Sequence, residues 1–441
     1  MQVTKTIDLE KQYSFPENLK VIHRNESILI ISRETANWIV LQNEFQLDFF
    51  ELLKKYKLKN AIGLFSGNSS DVQHVVIQIE ARRFDRRDIH RLDSRQKIHM
   101  YLTNECNLRC PHCYMFSGNK GENELTFDEV HRVLEHFASP NKKEITFSGG
   151  EVTTRKDFLD IVKDASNFGY AVKILTNGIL WSDEAIKSVA PFISNVQISI
   201  DGFSEAEDAK IRGAGHFRQA LLTLDKFISL GVHSTIAITP WYDDSFESKM
   251  PEYVKFGREL LNKYQGEKFE VIFSGELLDG RNVKLNQNQK ETYSRQIGAI
   301  YQNCFGYGSD EIFASSLYDG TVYNNCSFGG LVLSSTGDVY LCAQIPFLKP
   351  VANIRKNTWE EIEKALEHGR CLSEIENLKP CNSCELKYIC GGGCRLKFFE
   401  EFSNQDVLSL TPEMIAPRNC SEENKNYYYD MMIRTNEKMF K

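Results

Sequence analysis

The octapeptide Cys106-Asn-Leu-Arg-Cys110-Pro-His-Cys113 sets three thiols in one short loop, with three and then two residues between them. The run before it, Ile98 to Thr103, alternates apolar and polar residues and reads as a β-strand, so the thiols sit just past a strand end. A [4Fe–4S] cube has four irons, each normally held by a Cys thiolate, and three protein ligands leave one iron open to a small molecule. A zinc site would want a fourth protein ligand close by. His112 lies between two of the thiols rather than at a usual zinc spacing.

The pattern resembles the CxxxCxxC signature of radical S-adenosylmethionine (SAM) enzymes. The resemblance implies that Cys106, Cys110 and Cys113 hold a [4Fe–4S] cluster. Its open iron would chelate the amino and carboxylate groups of SAM, and reductive C–S cleavage would release a 5′-deoxyadenosyl radical.

Working outward, the chain has 441 residues, enough for two or three domains, and 41% hydrophobic content supports real cores. A net charge of −7 and a pI near 5.9 give no basic surplus for nucleic acid. No apolar run approaches the length that spans a bilayer, and the first 15 residues lack a basic-then-apolar signal pattern. The expectation is a cytoplasmic protein without nucleic-acid or membrane partners. Twelve cysteines in that compartment point to metal rather than to disulfides.

Residues 1–90 read as a separate α+β module. Leu19 to His23 and Ser27 to Ser32 form a hairpin around Arg24-Asn25-Glu26. Thr35 to Leu41 leads into an amphipathic helix from Phe45 to Tyr56, a second helix covers Lys59 to Phe65, and Val72 to Ile79 reads as a last strand or part of a helix. The order resembles the three-stranded, winged-helix-like peptide-recognition domain related to the pyrroloquinoline-quinone biosynthesis chaperone, which binds a leader peptide by strand addition. The charge-dense stretch Arg82 to Lys97 reads as solvated, with residues 91–97 as the linker.

Residues 98–300 alternate strands and helices. Strands are expected at Glu144 to Phe147, Ala171 to Leu175, Asn195 to Ile200, Thr235 to Thr239 and Phe269 to Phe273, after the first at Ile98. Thr126 and Glu129 form a capping box ahead of one helix; Gly169 and Gly231 stop two others. Six such units imply a parallel sheet and an open (β/α)6 partial TIM barrel of α/β class, with chemistry at the C-terminal strand ends. The motifs fall there. Ser148-Gly149-Gly150-Glu151 resembles the family's GGE motif, whose glycines let the backbone approach SAM's methionine; Val152 stands where Pro is usual. Thr176-Asn177-Gly178 resembles the family's TNG turn, and Ser199-Ile200-Asp201-Gly202 its S-x-D-G. The resemblance implies SAM contacts from Ser148, Gly149, Gly150, Glu151, Thr176, Asn177, Ser199, Asp201, Arg212 and Thr239.

Residues 301–441 carry Cys326, a gap of ten to Gly337 and of four to Cys342, then Cys381-x2-Cys384-x5-Cys390-x3-Cys394 and Cys420. This resembles the SPASM domain, which holds two auxiliary [4Fe–4S] clusters. By that analogy Cys326, Cys342 and Cys394 serve the nearer cluster, and Cys381, Cys384, Cys390 and Cys420 the farther one. The nearer is one ligand short: either Cys304 supplies it or the site is open to a substrate thiolate. Cys371 matches no position. Sulfatase-maturing relatives carry an Asp base after the Cys342 position; here it is Ala343, which argues against that activity.

Together the three modules resemble radical SAM/SPASM maturases of ribosomally made peptides. The resemblance implies three [4Fe–4S] clusters, SAM, a precursor peptide whose leader the N-terminal domain binds, and an electron donor such as flavodoxin or ferredoxin. The expected product is an intrapeptide C–C or thioether crosslink. The alternatives are maturation of a peptide-derived quinone cofactor, oxidative decarboxylation, or a cluster-containing peptide-binding regulator without turnover. No residue stands out as the catalytic base.

Overall fold

The computed structural model of the chain describes residues 7–86, 91–92, 97–139, 143–305, 322–323, 326–344, 348–395, 406–416 and 420–440. The linker positions 93–96 lie outside them, as does the 306–321 stretch that follows Cys304.

The N-terminal module opens on three antiparallel strands, β1 (Leu19–Arg24), β2 (Ser27–Ser32) and β3 (Trp38–Leu41), in the order β1-β2-β3. Asn25 turns the hairpin at φ 53°, a left-handed conformation that Asn tolerates better than most residues. Three helices follow: α1 (Glu44–Leu53), α2 (Leu58–Leu64) and α3 (Ser69–Arg82). The Val72 to Ile79 run is therefore helical. Asn68 caps α3 by accepting from the Asp71 amide, and Val75, Val76 and Ile79 repeat at helical spacing into the core.

The β2–β3 strands read as nearly continuous apolar runs because both sheet faces are covered. Ile28, Ile30, Ile39 and Leu41 pack under the helices, while Leu29, Ile31, Trp38 and Val40 pack on the C-terminal part of the chain. Arg82 was expected in solvent and is instead fully buried, its guanidinium 3.8 Å from the Trp38 ring centroid and its carbonyl bonded by Asn37 Nδ2 at 2.6 Å. An amphipathic stem beside an aromatic ring outweighs the charge density of the stretch.

The second module carries six parallel strands: β4 (Ile98–Tyr101), β5 (Glu144–Ser148), β6 (Ala171–Thr176), β7 (Asn195–Ile200), β8 (His233–Ile238) and β9 (Phe269–Phe273). The helices between and after them are α4 (Phe127–His136), α5 (Phe158–Asn167), α6 (Asp183–Val189), α7 (Glu205–Arg212), α8 (His216–Ser229), α9 (Phe246–Lys263) and α10 (Gln287–Phe305). The capping box of Thr126 and Glu129 starts α4, and Gly169 and Gly231 follow α5 and α8 at φ 84° and 73°. Helix α10 runs across residue 300, so no break in secondary structure marks that position. Val172, Ile174, Val196, Ile198, Ile200, Ile236 and Ile238 line one face of the sheet at 0% exposure; the alternate residues Gln197 and Ser199 are only half-buried.

The sheet does not stop at β4. Strand β10 (Leu331–Leu333) pairs parallel to β4, and β11 (Asp338–Tyr340) and β12 (Ala352–Asn353) continue antiparallel, giving nine strands in the order β9-β8-β7-β6-β5-β4-β10-β11-β12. The loop carrying Cys342 is thereby hydrogen-bonded into the same sheet as the loop carrying Cys106. After α11 (Trp359–Ser373) the cysteine-rich segment winds through short helical turns, and α12 (Glu422–Met439) returns to the N-terminal sheet.

Candidate active site and cysteine clusters

The Cys106–Cys113 loop leaves the C-terminal end of β4 and is braced along its length. The Cys106 amide donates to Gly118 O at 2.9 Å and the Gly118 amide to Asn104 O at 2.9 Å, so the loop closes as a short parallel ladder. Glu124 gathers Thr103 Oγ1, the Asn104 amide and the Gly121 amide at 2.8 to 3.1 Å. The Leu108 amide points at Cys106 Sγ, 3.4 Å away. Loop 277–285, after β9, folds back over the turn: the Asn282 amide donates to Pro111 O at 2.7 Å, and a Cβ on Gly280 would lie 2.5 Å from the His112 carbonyl.

The two glycines after β5 answer to this same loop. A Cβ on Gly149 would stand 2.4 Å from Thr103 O, and one on Gly150 2.1 Å from Glu105 O, while the Gly150 and Glu151 amides donate to those two carbonyls at 2.7 Å each. The glycines are required by the approach of one protein strand to another, not only by a ligand. Glu151 is completely buried. Its carboxylate accepts from Thr153 N and Oγ1, Thr176 Oγ1 at 2.7 Å and the Asn177 amide at 2.7 Å. Four donors within the chain reach it, so it ties the ends of β5 and β6 together.

Thr176 and Asn177 act in the same way. Thr176 Oγ1 also accepts from Trp181 Nε1, and Asn177 Nδ2 donates to Asn107 Oδ1 at 2.8 Å, inside the cysteine loop. The Asn177 carbonyl faces His216 Nε2 at 3.0 Å, and His216 Nδ1 lies 2.5 Å from Asp208. Asp208 in turn accepts from the Asp201 amide at 2.8 Å. Burial opposes ionisation of Asp208, but the His216 contact prevails and holds it below the usual carboxylate range. Asp201 is completely buried too, paired with Arg212 Nε at 2.5 Å and within 3.5 Å of His112 Nε2. His112 therefore faces a buried carboxylate. The Asp201 and Glu151 carboxylates, expected as ligand contacts, are closed off from solvent and serve as supports. Ser148, Ser199 and Thr239 remain half-buried at the strand ends, while Arg212, at the end of α7, has its side chain only 9% exposed beside Asp201. His216, Asp208 and Asn107 were not singled out from sequence; only the partner across the fold reveals them.

The three thiols are near enough to feel one another's charge. Burial raises Cys106 and pushes Cys110 up to about 11, with Arg212 pulling the other way. A bound metal would reverse that preference. The guanidinium beside Cys110 and the amide aimed at Cys106 Sγ suit thiolates that carry charge, so this loop fits a cluster. Among the described residues, no three His, Cys, Asp or Glu side chains converge closely enough to hold a single metal ion.

The C-terminal cysteines come together in two sets. Cys342, pushed up to about 12 by burial, is within charge range of Cys326 and Cys394. Cys381, pushed up to about 11 by burial, senses Cys390, Cys384 and Cys420. The Leu386 amide lies 3.4 Å from Cys384 Sγ and Asn424 Nδ2 3.8 Å from Cys420 Sγ, donors that again suit thiolates. Between Cys390 and Cys394 three glycines in succession take φ of 65°, 76° and 73°. Such a run is open to glycine alone, and it lets adjacent cysteines serve different sets.

Cys304 does not join them. It is buried on α10 with its sulfur against Gly257 of α9, in the core that includes Phe273 of β9, and burial raises it to about 11 with Arg258 pulling the other way. Strand β9 is at the opposite end of the sheet from β11 and Cys342. Of the two ways expected to complete the nearer set, the structure packs Cys304 as a core thiol away from Cys342. A tyrosine pair joins the two cysteine regions: Tyr101 of β4 donates to Ala343 O at 2.5 Å and lies 3.2 Å from the hydroxyl of Tyr114, next to Cys113.

Residues 100–250 match the family model of the Radical SAM superfamily. Mycofactocin maturase MftC of Mycobacterium ulcerans (strain Agy99) is 25% identical over 332 residues, covering 70% of this chain and 86% of that protein. The AdoMet-dependent heme synthase of Methanosarcina barkeri (strain Fusaro / DSM 804) is 27% identical over 322 residues, 68% of this chain and 90% of that one. The solved structure of native anSMEcpe with bound AdoMet shares the fold, with a TM-score of 0.54 at 17% identity over 78% of this chain and 99% of that chain. No helix among the described residues is long and apolar enough to cross a membrane.

Proposed function

From the premise of a radical SAM protein, we propose an enzyme that crosslinks a ribosomally made precursor peptide within its own chain, through a C–C or thioether bond. The observation that carries the reading is the joining of three parts. The N-terminal sheet packs through Leu29, Ile31, Trp38 and Val40 onto the segment bearing Cys384 and Cys390, and that segment is continuous with the sheet behind the Cys106 loop. A peptide held at the N-terminal module would be kept near the strand ends at high effective concentration. The maturase MftC among the relatives supports a peptide substrate; the heme synthase does not, and the N-terminal module tips the balance to peptide.

Cys106, Cys110 and Cys113 would hold the core [4Fe–4S] cluster, Cys326, Cys342 and Cys394 one auxiliary cluster, and Cys381, Cys384, Cys390 and Cys420 the other. When bound, the core cluster and SAM supply a 5′-deoxyadenosyl radical, and the auxiliary clusters an acceptor for the electron the substrate gives up. The chain's own residues orient and exclude water. Glu151, Asn177 and Asp201 hold the three strand ends to the cysteine loop, and Ser148, Ser199, Thr239 and Arg212 would contact SAM when it is bound. Loop 277–285 covers the loop from outside.

The test is anaerobic reconstitution. Roughly 12 iron per chain are expected, from three four-iron clusters, with 5′-deoxyadenosine formed from SAM and reductant. A precursor peptide encoded beside the gene should lose two hydrogens per crosslink by mass spectrometry. Replacing Cys106, Cys110 and Cys113 with Ala should leave roughly 8 iron and no SAM cleavage; cleavage by that variant overturns the reading. A regulator without turnover would form no 5′-deoxyadenosine.

A further inference from the structure

Arg395 is 1% exposed, among the most deeply buried large side chains in the molecule. Its Nη1 donates to Gly393 O at 2.6 Å, and its Nη2 donates to Gly391 O at 2.9 Å and Ser373 O at 3.0 Å. Among the described residues its Nε has no hydrogen-bond partner and no carboxylate pairs with it. A buried guanidinium with only neutral carbonyls around it is costly, because a charge removed from water needs a countercharge. Among the described residues, thiols lie close by: a Cβ on Gly392 would stand 3.1 Å from Arg395 Nη1 and 3.6 Å from Cys381 Sγ. Cys381 and Cys390 lie within range of its field, and the glycine turn it clamps is the one that separates Cys390 from Cys394.

We propose that Arg395 is the built-in countercharge of the Cys381, Cys384, Cys390 and Cys420 set, raising the reduction potential of the cluster these thiolates hold. The inference rests on the reading of that set as an auxiliary cluster site. Four thiolates on a four-iron cube leave net negative charge, and reduction adds one electron more. A fixed positive charge favours the reduced state, and in a buried setting it acts with little screening. Arg395 is therefore a positioning and tuning residue that touches no substrate. It also explains why one side chain grips the glycine turn at two carbonyls. The same fork that sets the turn holds the charge at a fixed distance from the sulfurs.

The experiment uses the full chain with Cys106, Cys110 and Cys113 replaced by Ala, so that only auxiliary signals remain. It is reconstituted anaerobically and titrated with reductant while electron paramagnetic resonance is followed. Iron in this background that is lost on replacing Cys381 and Cys384 establishes the cluster site first; its absence would overturn the reading on which the inference rests, before any arginine variant is made. Arg395→Gln should then move the midpoint potential of that cluster to more negative values, while Arg395→Lys, which keeps the charge and loses the fork, should stay nearer the parent. An unchanged or more positive potential in the Gln variant overturns the proposal, as does an equal shift in both, which would mark a purely structural role. If the Gln variant takes up no iron, the countercharge role requires the Lys variant to load, and its failure also overturns the proposal.

Discussion

Arg24 and Asp430, 406 positions apart, form a two-pronged ion pair, Nε to Oδ1 at 2.7 Å and Nη2 to Oδ2 at 2.8 Å. The pair joins β1 of the N-terminal sheet to the C-terminal helix α12. Beneath it lies the apolar seam of Leu29, Ile31, Trp38 and Val40 against Leu386, Ile389, Met431 and Met432. The hydrogen bond from Arg24 holds the Asp430 carboxyl below the usual range.

The seam, not the ion pair, should dominate the docking. Asp430→Ala is expected to change stability little, since partly exposed pairs are screened, whereas Trp38→Ala should lose about 3–5 kcal/mol as a fully buried aromatic. Urea unfolding and hydrogen exchange across β2, β3 and α12 would measure both. A larger loss from Asp430→Ala than from Trp38→Ala would contradict this.

Glu151 predicts a sharper result. Glu151→Gln keeps the shape but turns one acceptor into a donor facing a hydroxyl or amide that already donates. The expected loss is about 1–3 kcal/mol, the penalty of leaving buried donors unmatched, with weaker SAM binding because the Thr176–Gly178 turn shifts. Calorimetry on reconstituted protein checks it; unchanged stability would show that the four bonds are not formed together.

Glu129 joins two modules through Arg355, whose Nε and Nη2 reach its carboxylate at 2.6 and 2.8 Å. The Arg355 hydrogen bond, with the Thr126 cap, holds Glu129 down to about 2. A depressed carboxylate stabilises the fold above its unfolded value, and that share is lost as pH falls from about 4.5 towards about 2. Glu129→Gln should therefore cost about 1 kcal/mol at neutral pH, allowing for solvent screening, and the gap should close over that acid range. A gap that is constant from pH 7 to 3 would rule out the linkage.

Cys304→Ala should leave iron content, auxiliary spectra and SAM cleavage as in the parent. Its effect should be a packing loss of about 1 kcal/mol, from the thiol removed between α9 and α10. Loss of one cluster's worth of iron would restore Cys304 as a ligand.

Local periodicity carried most of the barrel. The Asn195–Ile200 and Phe269–Phe273 strands and the Asp183–Val189 helix fall where alternation and 3.6-residue spacing put them, because each buries one face against a regular layer. The pattern was ambiguous at Val72 to Ile79, where adjacent β-branched residues suit a strand, and only packing against β3 and α1 makes the segment helical.

By itself, the sequence determined the cysteine spacings, the glycine motifs and the order of strands, since these depend on neighbours a few residues apart. Tertiary structure alone decided which polar residues of the motifs are buried against partners within the protein. Glu151 and Asp201 look like contacts in a motif, yet each is held by donors from other elements, Thr176 and Asn177 at the end of β6 for Glu151 and Arg212 of α7 for Asp201. Likewise Cys304 lies only 22 residues before Cys326 in the chain but at the far edge of a nine-stranded sheet from Cys342. The physical reason is that burial and hydrogen-bond satisfaction are properties of the packed whole: a buried charge takes whatever partner the fold brings to it, and sequence distance does not measure that approach.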